Sequence, residues 1–130
     1  VYINAHVTST PDGDGIESFG IKKVFGERAK KIPTSATKSL IGHTLSGAGA
    51  LGLIVALETL RRGKIHPTVN CDNPDTDVAY HKDFKEEQIR TFQPCDLDYV
   101  REGSREARID YALSNAFGFF GHDTSWVVGI

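Results

Sequence analysis

The sequence contains no methionine, one tryptophan and only two cysteines, Cys71 and Cys95. The two cysteines are too far apart to form the C-x-x-C pair that is typical of zinc and redox motifs, and they do not make a disulfide framework. This cysteine usage favours a reduced, cytoplasmic setting. Neither cysteine begins a small-residue helix that would lower the pKa of its thiol, so neither is predicted to be a catalytic nucleophile.

Long apolar segments and an excess of charge of one sign are also missing. No apolar run approaches the ~20 residues that a membrane-spanning helix requires, and no signal peptide is visible. The 15 basic and 17 acidic residues leave a formal net charge of -2, which argues against a general nucleic-acid binder or membrane-surface binder. With 130 residues, 39% hydrophobic and 25% charged, the chain has the length and composition of one soluble globular domain.

The most informative stretch, residues 34–52, combines a strand end, a polar loop and the small-residue start of an apolar helix. Lys38 and His43 lie in the loop. Such a turn gathers side chains and free backbone N–H groups around a point where negative charge can be held. The stretch is therefore predicted to belong to a functional site.

Two nucleotide-binding motifs are partly matched in this stretch and fail on spacing. The glycines between Gly47 and Gly52 fit G-x-G-x-x-G, but about ten residues separate them from the preceding strand, whereas the dinucleotide motif needs them directly after it. Lys38 and the following serine resemble the end of a P-loop, but Thr37 stands where that motif needs a glycine. Lys38 and His43 are therefore kept as chemical groups, and the glycines as a closely packed helix start.

Apolar periodicity predicts an α/β alternation. A short amphipathic helix is expected to begin at a capping box formed by Asp14 and Glu17 and to stop at Gly26. A longer, largely buried helix is expected over 46–62, with Gly63 as its C-terminal cap. The predicted strands are 1–5, 32–37, 108–115 and 124–130, with an extended segment at 64–74 and a tight loop at 116–123.

Four ordered segments resemble the C-terminal half of the β-ketoacyl-acyl-carrier-protein synthases, the condensing enzymes of the thiolase-like fold, and most closely the type II elongation synthases. The segments are residues 1–11 (VYINAHVTSTP), Lys38-Ser39 with Gly42-His43, Asn73-Pro74, and residues 114–119 (SNAFGF). The resemblance implies a layered α/β fold in which helices cover a mixed sheet. It makes residues 1–130 the C-terminal half of one synthase domain, with an insertion at about 76–94.

The resemblance also implies the roles of individual residues. His6 and His43 hydrogen-bond the thioester carbonyl of a malonyl extender unit, and Lys38 supports the site electrostatically. Two fixed donors lower the barrier to decarboxylation because enolate charge builds up on one oxygen. Phe119 gates the acyl pocket, and its backbone N–H contributes to an oxyanion hole. The implied substrate-binding residues are Thr8 and Thr10 at the pantetheine arm, and Phe117 and Phe120 at the acyl pocket.

The resemblance implies partners as well. The nucleophilic cysteine belongs to an N-terminal half that this chain lacks, and the opening at Val1 inside a strand, without methionine, leads to the expectation of a processed piece or part of a divided protein. The other partners are an acyl carrier protein, which carries the phosphopantetheine, and a second copy in a homodimer of the complete synthase. The chain itself is expected to need no cofactor and no metal, to bind neither nucleic acid nor membrane, and to be inactive alone.

Several departures keep a second hypothesis open, a non-catalytic partner subunit that shapes a tunnel like a chain-length factor or docks a carrier protein. Val7 and Phe120 replace glycines of the family, Gly52 replaces a glutamate, and His122-Asp123 replace a threonine and an asparagine. A basic cluster is either a docking surface for an acidic carrier protein or an ordinary solvated face, and the apolar residues of the insertion either cover a partner or a tunnel or belong to an ordinary surface insertion. The cluster is Lys22, Lys23, Arg28, Lys30 and Lys31, and the insertion residues are Tyr80, Phe84, Ile89 and Phe92.

Overall fold

The computed structural model of the chain describes residues 1–76 and 94–130, so the helix expected in the insertion lies outside the described residues. The described residues contain three α-helices, all within the first half of the chain, and seven β-strands. The strands are β1 (Tyr2–Asn4), β2 (Pro33–Ser35), β3 (Lys64–Ile65), β4 (Asp98–Tyr99), β5 (Arg105–Glu106), β6 (Tyr111–Phe117) and β7 (Asp123–Gly129), and the helices are α1 (Pro11–Phe25), α2 (Lys38–Ile41) and α3 (Ala48–Arg62).

The main sheet is mixed and has the strand order β4-β2-β1-β6-β7. The first four strands in that order run parallel, and β7 pairs antiparallel with β6. Strands β3 and β5 form a separate two-stranded antiparallel sheet. Because β1, β2 and β6 are parallel, their carboxyl ends meet at one edge of the sheet, called here the carboxyl edge. That edge is where the residues that follow these three strands come together.

Two core clusters lie on opposite faces of the sheet because neighbouring residues of β1 point in opposite directions. Tyr2 packs into the cluster that contains Ala56 and Leu60 of α3. Ile3 packs into the cluster that contains Ile21 of α1. The sheet is therefore covered by α3 on one face and by α1 on the other, which confirms the predicted α/β arrangement. None of the helices in the described part of the chain is long and apolar enough to cross a membrane.

The first helix begins earlier than predicted. Thr10 is its N-cap, where the threonine hydroxyl accepts a hydrogen bond from the N–H of Gly13 at 3.2 Å, and proline occupies the first turn. The predicted capping box of Asp14 and Glu17 is wrong because Glu17 lies a turn inside the helix with its side chain buried against the sheet. The predicted end is confirmed, since Gly26 caps the helix with a positive φ of 56°.

The long helix α3 ends as predicted at Gly63, which takes the left-handed conformation that glycine favours. The prediction that it is largely buried is wrong for one of its faces. Ile54 and Leu57 are 55% and 46% exposed, whereas Ala56 is fully buried on the sheet. Residues 45–47 form a 3₁₀ turn ahead of the helix, so the helix proper starts two residues later than predicted.

Strands β6 and β7 both reach closer to their connection than the sequence predicts. Their antiparallel pairing continues to Phe117 opposite Asp123, so the predicted loop at 116–123 is partly strand. Only Gly118 to His122 remain between them, and three of these residues, Phe119–Gly121, form a 3₁₀ turn. Phe117 is thereby held on the sheet at the carboxyl edge.

Candidate active site

The carboxyl edge brings together the two predicted histidines and the predicted lysine. His6 follows β1, and His43 follows α2. Lys38 is the first residue of α2 and is separated from the end of β2 by two residues. The ring centroids of His6 and His43 are 5.6 Å apart, with the ring planes at 84° to one another. Residues that are 37 positions apart in the chain are therefore neighbours, as expected for side chains at the ends of adjacent parallel strands.

His6 is held as a neutral ring with a defined tautomer. The backbone N–H of Phe117 donates to its Nδ1 at 3.3 Å, so the ring proton lies on Nε2. Burial, together with the charge of Lys38 and the neighbouring His43, lowers the pKa of His6 to about 4. At neutral pH His6 therefore presents an uncharged Nε2–H as a donor.

His43 has the same arrangement at its other ring nitrogen. The backbone N–H of Leu45 donates to its Nδ1 at 3.0 Å, which leaves Nε2 as the donor of the neutral ring. Unlike His6, His43 is exposed, and the backbone that holds it includes Leu45 at a φ of 52°. Two Nε2–H donors thus lie at one edge, one from a half-buried ring and one from an exposed ring.

The ammonium group of Lys38 links the segment after β2 to the segment after β1 by a hydrogen bond. Its ammonium donates a hydrogen bond to the backbone carbonyl of His6 and lies in the electrostatic reach of Glu17 and Asp14. Burial lowers the pKa of Lys38, and the two carboxylates oppose that shift. The side chain therefore fixes the position of the His6 loop and adds positive potential behind it.

Glu17 is a residue of the site that the sequence analysis missed. It is only 4% exposed, and its carboxylate accepts three hydrogen bonds of 2.9 Å, from the N–H groups of His6 and Val7 and from the side-chain amide of Asn115. Burial raises the pKa of Glu17, and these hydrogen bonds act in the opposite direction. The available signal was a carboxylate on the apolar face of a helix, but a carboxylate near a helix start is also typical of a capping residue.

The carboxylate of Glu17 supports an unusual backbone. Val7 has a φ of 21°, which is rare for a β-branched residue. Such a conformation persists where the surrounding structure over-determines it. The resembled family has glycine at this position, and a positive φ is a conformation that glycine adopts readily.

A cleft of about 420 Å³ opens beside Lys38 and His43. Its wall includes Val7, Thr8 and Asn73, so Thr8 lies in the same cleft as Lys38 and His43. Thr10 is engaged differently, because it caps α1 and its hydroxyl lies 3.1 Å from that of Thr8. The threonine segment therefore contributes one side chain to the cleft and uses the other to start the helix.

The predicted aromatic residues divide into two groups. Phe117 lies against His6 with ring centroids 5.3 Å apart. Phe119 and Phe120 are 83% and 100% exposed, and Phe120 has a φ of 64°. Neither is among the described residues that line the cleft. The gating and substrate-binding roles of these two side chains remain predictions.

Gly52, where the resembled family carries a glutamate, is a point of close packing. A Cβ atom at this position would lie 3.0 Å from Nδ2 of Asn4 and 3.1 Å from Oγ of Ser114. The amide of Asn4 also donates to the carbonyl of Gly52 at 2.9 Å. No carboxylate fits there without a shift of α3 or of the strands beneath it. Among the described residues, no group of three or more acidic, histidine or cysteine side chains is arranged to hold a metal ion.

Two lysines of the basic cluster form ion pairs within the chain, and both cysteines are at least partly buried. Lys22 and Lys30 both pair with Asp96, so part of the cluster is neutralised within the chain. Burial raises the pKa of both Cys71 and Cys95, which agrees with the prediction that neither thiol is a nucleophile.

Known proteins that resemble the chain are condensing enzymes. The family model "Beta-ketoacyl synthase, C-terminal domain" matches residues 1–72. A 3-oxoacyl-[acyl-carrier-protein] synthase 2 from Coxiella burnetii is 41% identical over 127 residues, which are 98% of this chain and 27% of that protein. The chain thus spans about a quarter of the length of this curated relative.

Solved structures of the same kind have a similar fold. One, described as a type II PKS acyl-carrier protein in complex with its ketosynthase bound to the hexaketide, matches with a TM-score of 0.81 at 33% identity, over 99% of this chain and 28% of that one. Another, the ishigamide ketosynthase/chain length factor, matches with a TM-score of 0.76 at 30% identity, over 98% of this chain and 27% of that one. The matched domain and the fold agree, and the chain belongs to the β-ketoacyl synthase family as a C-terminal domain of the thiolase-like α/β fold.

Proposed function

We propose that this chain contributes the two histidines and the lysine of the active site of a β-ketoacyl-acyl-carrier-protein synthase. The reaction is the decarboxylative Claisen condensation of a malonyl thioester with an acyl thioester in fatty-acid or polyketide synthesis. The observation that carries the proposal is the pairing of His6 and His43 at 5.6 Å, with Nε2 the donor nitrogen of each neutral ring.

The chemistry follows from these donors. When the malonyl carboxylate leaves as CO₂, the electrons of the broken C–C bond form an enolate whose negative charge lies on the thioester oxygen. Hydrogen bonds from Nε2–H of His6 and of His43 stabilise that oxygen, and each such donor contributes roughly 10²–10³ in rate in comparable sites. The enolate carbon then attacks the acyl thioester, which forms the new C–C bond and releases the cysteine thiolate that carried the acyl group.

The cysteine in this scheme comes from another part of the protein. Neither Cys71 nor Cys95 has the lowered pKa that a nucleophile needs. The exposed side of α3 offers apolar side chains to the N-terminal half, since large apolar surfaces on a domain commonly mark an interface. They include Ile54 and Leu57.

The remaining partners follow from the same proposal. An acyl carrier protein delivers the malonyl unit on its phosphopantetheine arm, which the cleft beside Thr8 and His43 receives. The chain needs no cofactor of its own for this step, because the enolate is stabilised by hydrogen bonds alone. Two complete synthase units then pair as a homodimer.

The test uses the chain assembled with an N-terminal half that carries the reactive cysteine, and it follows CO₂ release from the malonyl carrier protein as well as condensation. His6→Ala, His43→Ala and the double variant are expected to lower decarboxylation by at least a hundredfold. Lys38→Met is expected to lower it too, whereas Lys64→Met, at an exposed lysine of β3, serves as the matched control.

The alternative is a non-catalytic partner subunit that shapes a tunnel or docks a carrier protein. Two observations support this alternative: the likeness to a ketosynthase/chain length factor structure and the close packing around Gly52. Unchanged activity of the assembled double histidine variant supports this alternative and contradicts the catalytic assignment.

A further inference from the structure

A third histidine, to which the sequence analysis assigned no role, lies beneath the site. His66 follows β3 and is half-buried. Its Nε2 is within hydrogen-bond distance of three hydroxyl groups, those of Tyr2 at 3.2 Å, Ser35 at 3.1 Å and Thr37 at 3.3 Å. Its Nδ1 lies 3.0 Å from the backbone carbonyl of Pro67. One imidazole thus joins β1, the end of β2 and the segment after β3.

A count of protons defines the state of this ring. A carbonyl oxygen only accepts, so Nδ1 of His66 carries the proton and Nε2 is an acceptor in the neutral ring. Thr37 donates its own proton to Oδ1 of Asn4 at 2.8 Å. The hydroxyls of Tyr2 and Ser35 are 2.7 Å apart, so one donates to the other and the second donates to Nε2. Every proton of this network then has an acceptor.

The network is attached to the segment that carries Lys38. Thr37 directly precedes Lys38, and Ala36 donates its backbone N–H to the hydroxyl of Thr68 at 3.0 Å. The N–H of Val69 donates to Oγ of Ser39 at 3.1 Å. Residues 66–69 therefore lie along residues 35–39 and hold them by side-chain and backbone hydrogen bonds on both sides of Lys38.

We propose that His66 is a positioning residue. As the neutral Nδ1–H tautomer it accepts a hydrogen bond from the Tyr2–Ser35 hydroxyl pair and holds residues 35–39 where Lys38 reaches the carbonyl of His6. His66 touches neither cleft residue nor substrate in this arrangement, and it acts through the hydroxyls of Tyr2 and Ser35. The kinetic part of this inference rests on the proposed synthase function, whereas the structural part does not.

Protonation of His66 disrupts this arrangement. Nε2 becomes a donor, so the hydroxyl that pointed to it loses its acceptor in a buried site, which is costly. The groups that face the ring are the hydroxyls of Tyr2, Ser35 and Thr37 and the carbonyl of Pro67. No carboxylate in the described part of the chain forms an ion pair with it, and burial lowers the pKa of His66. Acid is therefore expected to loosen the Lys38 segment.

The first test reads the tautomer by ¹⁵N NMR of the imidazole nitrogens in the native protein. Nδ1 of His66 is expected to carry the proton at neutral pH, with a titration midpoint below the usual value for histidine. A ring that is protonated on Nε2, or that is charged at neutral pH, overturns the inference. Because this measurement needs no turnover, it remains decisive even if the proposed synthase function fails.

The second test compares two variants in the assembled synthase. His66→Gln presents a carbonyl oxygen where Nε2 lies, an acceptor that does not titrate, and it is expected to keep the turnover number within about threefold of the wild type. His66→Leu removes the acceptor and is expected to lower the turnover number about tenfold with little change in KM, as for the loss of one buried hydrogen bond. The acid limb of the pH–rate profile is expected to move to lower pH in the glutamine variant.

Equal rates and identical pH profiles for wild type, glutamine and leucine variants overturn the inference. If the leucine variant does not fold, Ser35→Ala takes its place, because it keeps His66 and deletes the hydroxyl that links the ring to residues 35–39. It is expected to lower the turnover number, whereas Ser35→Thr keeps that hydroxyl and is expected to retain the rate. A turnover number of Ser35→Ala equal to that of the wild type counts against the proposed connection.

Discussion

The two sides of the candidate site differ in how firmly this chain holds them. The His6 loop is bonded to Glu17, Lys38 and the N–H of Phe117. The residues between β6 and β7 include Phe119 and Phe120, which are largely or fully exposed. A buried carboxylate and a lysine pre-organise the first side, whereas the second lacks such contacts within the described residues. The His6 loop is therefore the firm side of the candidate site, and the segment between β6 and β7 is its open side.

The largest effect is expected from Glu17→Gln, which breaks the firm side. The amide nitrogen replaces one acceptor oxygen and leaves a buried N–H of the His6 loop without a partner, which costs about 2–3 kcal/mol of unfolding free energy. Urea denaturation measures this loss. Glu102→Gln, at an exposed glutamate, is the matched control and is expected to change little. Equal stability of the two variants would show that Glu17 does not hold the loop.

The next largest loss of stability is expected where α3 packs closely on the strands beneath the firm side, and two glycine substitutions test it. Gly52→Ala places a methyl group about 3 Å from Asn4 and Ser114 and is expected to destabilise the protein by about 1–3 kcal/mol. Gly20→Ala lies in α1 with open space around the added atom and is expected to stabilise by about 0.5–1 kcal/mol. Thermal denaturation of both variants gives the signs, and a stabilising Gly52→Ala contradicts the close packing.

The free energy of unfolding is expected to depend on pH because of His6, on the firm side. Its pKa is about 4 in the folded chain and near 6.5 in the unfolded chain, so the unfolded state binds more protons between these values. The free energy of unfolding should therefore rise with pH through that window and decline as pH falls from 6.5 to 4. His6→Gln should remove this part of the slope. A wild-type slope that is unchanged by the substitution refutes the neutral, half-buried histidine.

The smallest effect is expected on the open side. Phe120→Ala removes a fully exposed ring and is expected to change the unfolding free energy by no more than about 0.5 kcal/mol. Phe117→Ala removes a ring that packs on His6 and should cost more, about 2 kcal/mol. Differential scanning calorimetry of the two variants checks the order. A larger loss for Phe120 would mean that the open side is held by contacts of its own.

Much of the fold was predictable because the pattern of apolar residues and glycines is local. The strands that became β1, β2, β6 and β7 and the helix ends at Gly26 and Gly63 are confirmed. The capping box at Asp14 and Glu17 was wrong because a carboxylate near a helix start has two possible uses, and only the packed sheet decides between them. The burial of α3 was overestimated because apolar residues spread around a helix do not tell which face this chain itself covers.

The candidate site divides in the same way. His6, Lys38 and His43 were predictable as chemical groups, since each follows or precedes a recognisable element and the family resemblance joined them. Glu17 and His66 were not, because their importance lies in hydrogen bonds to backbone and hydroxyl groups that are distant in sequence. The catalytic and binding roles of all the site residues predicted from the sequence remain predictions: His6, Lys38, His43, Thr8, Thr10, Phe117, Phe119 and Phe120.

The amino-acid sequence by itself determined the element order, the helix stops and the identity of the groups that meet at the carboxyl edge. Only the tertiary structure decided that His6 is a neutral donor, that Val7 is held at a positive φ and that α3 meets the sheet too closely at Gly52 for a carboxylate. The physical reason is the separation along the sequence over which each effect acts. Propensity and periodicity act over a few residues, whereas burial, pKa and close contact depend on whichever strands the parallel sheet places side by side.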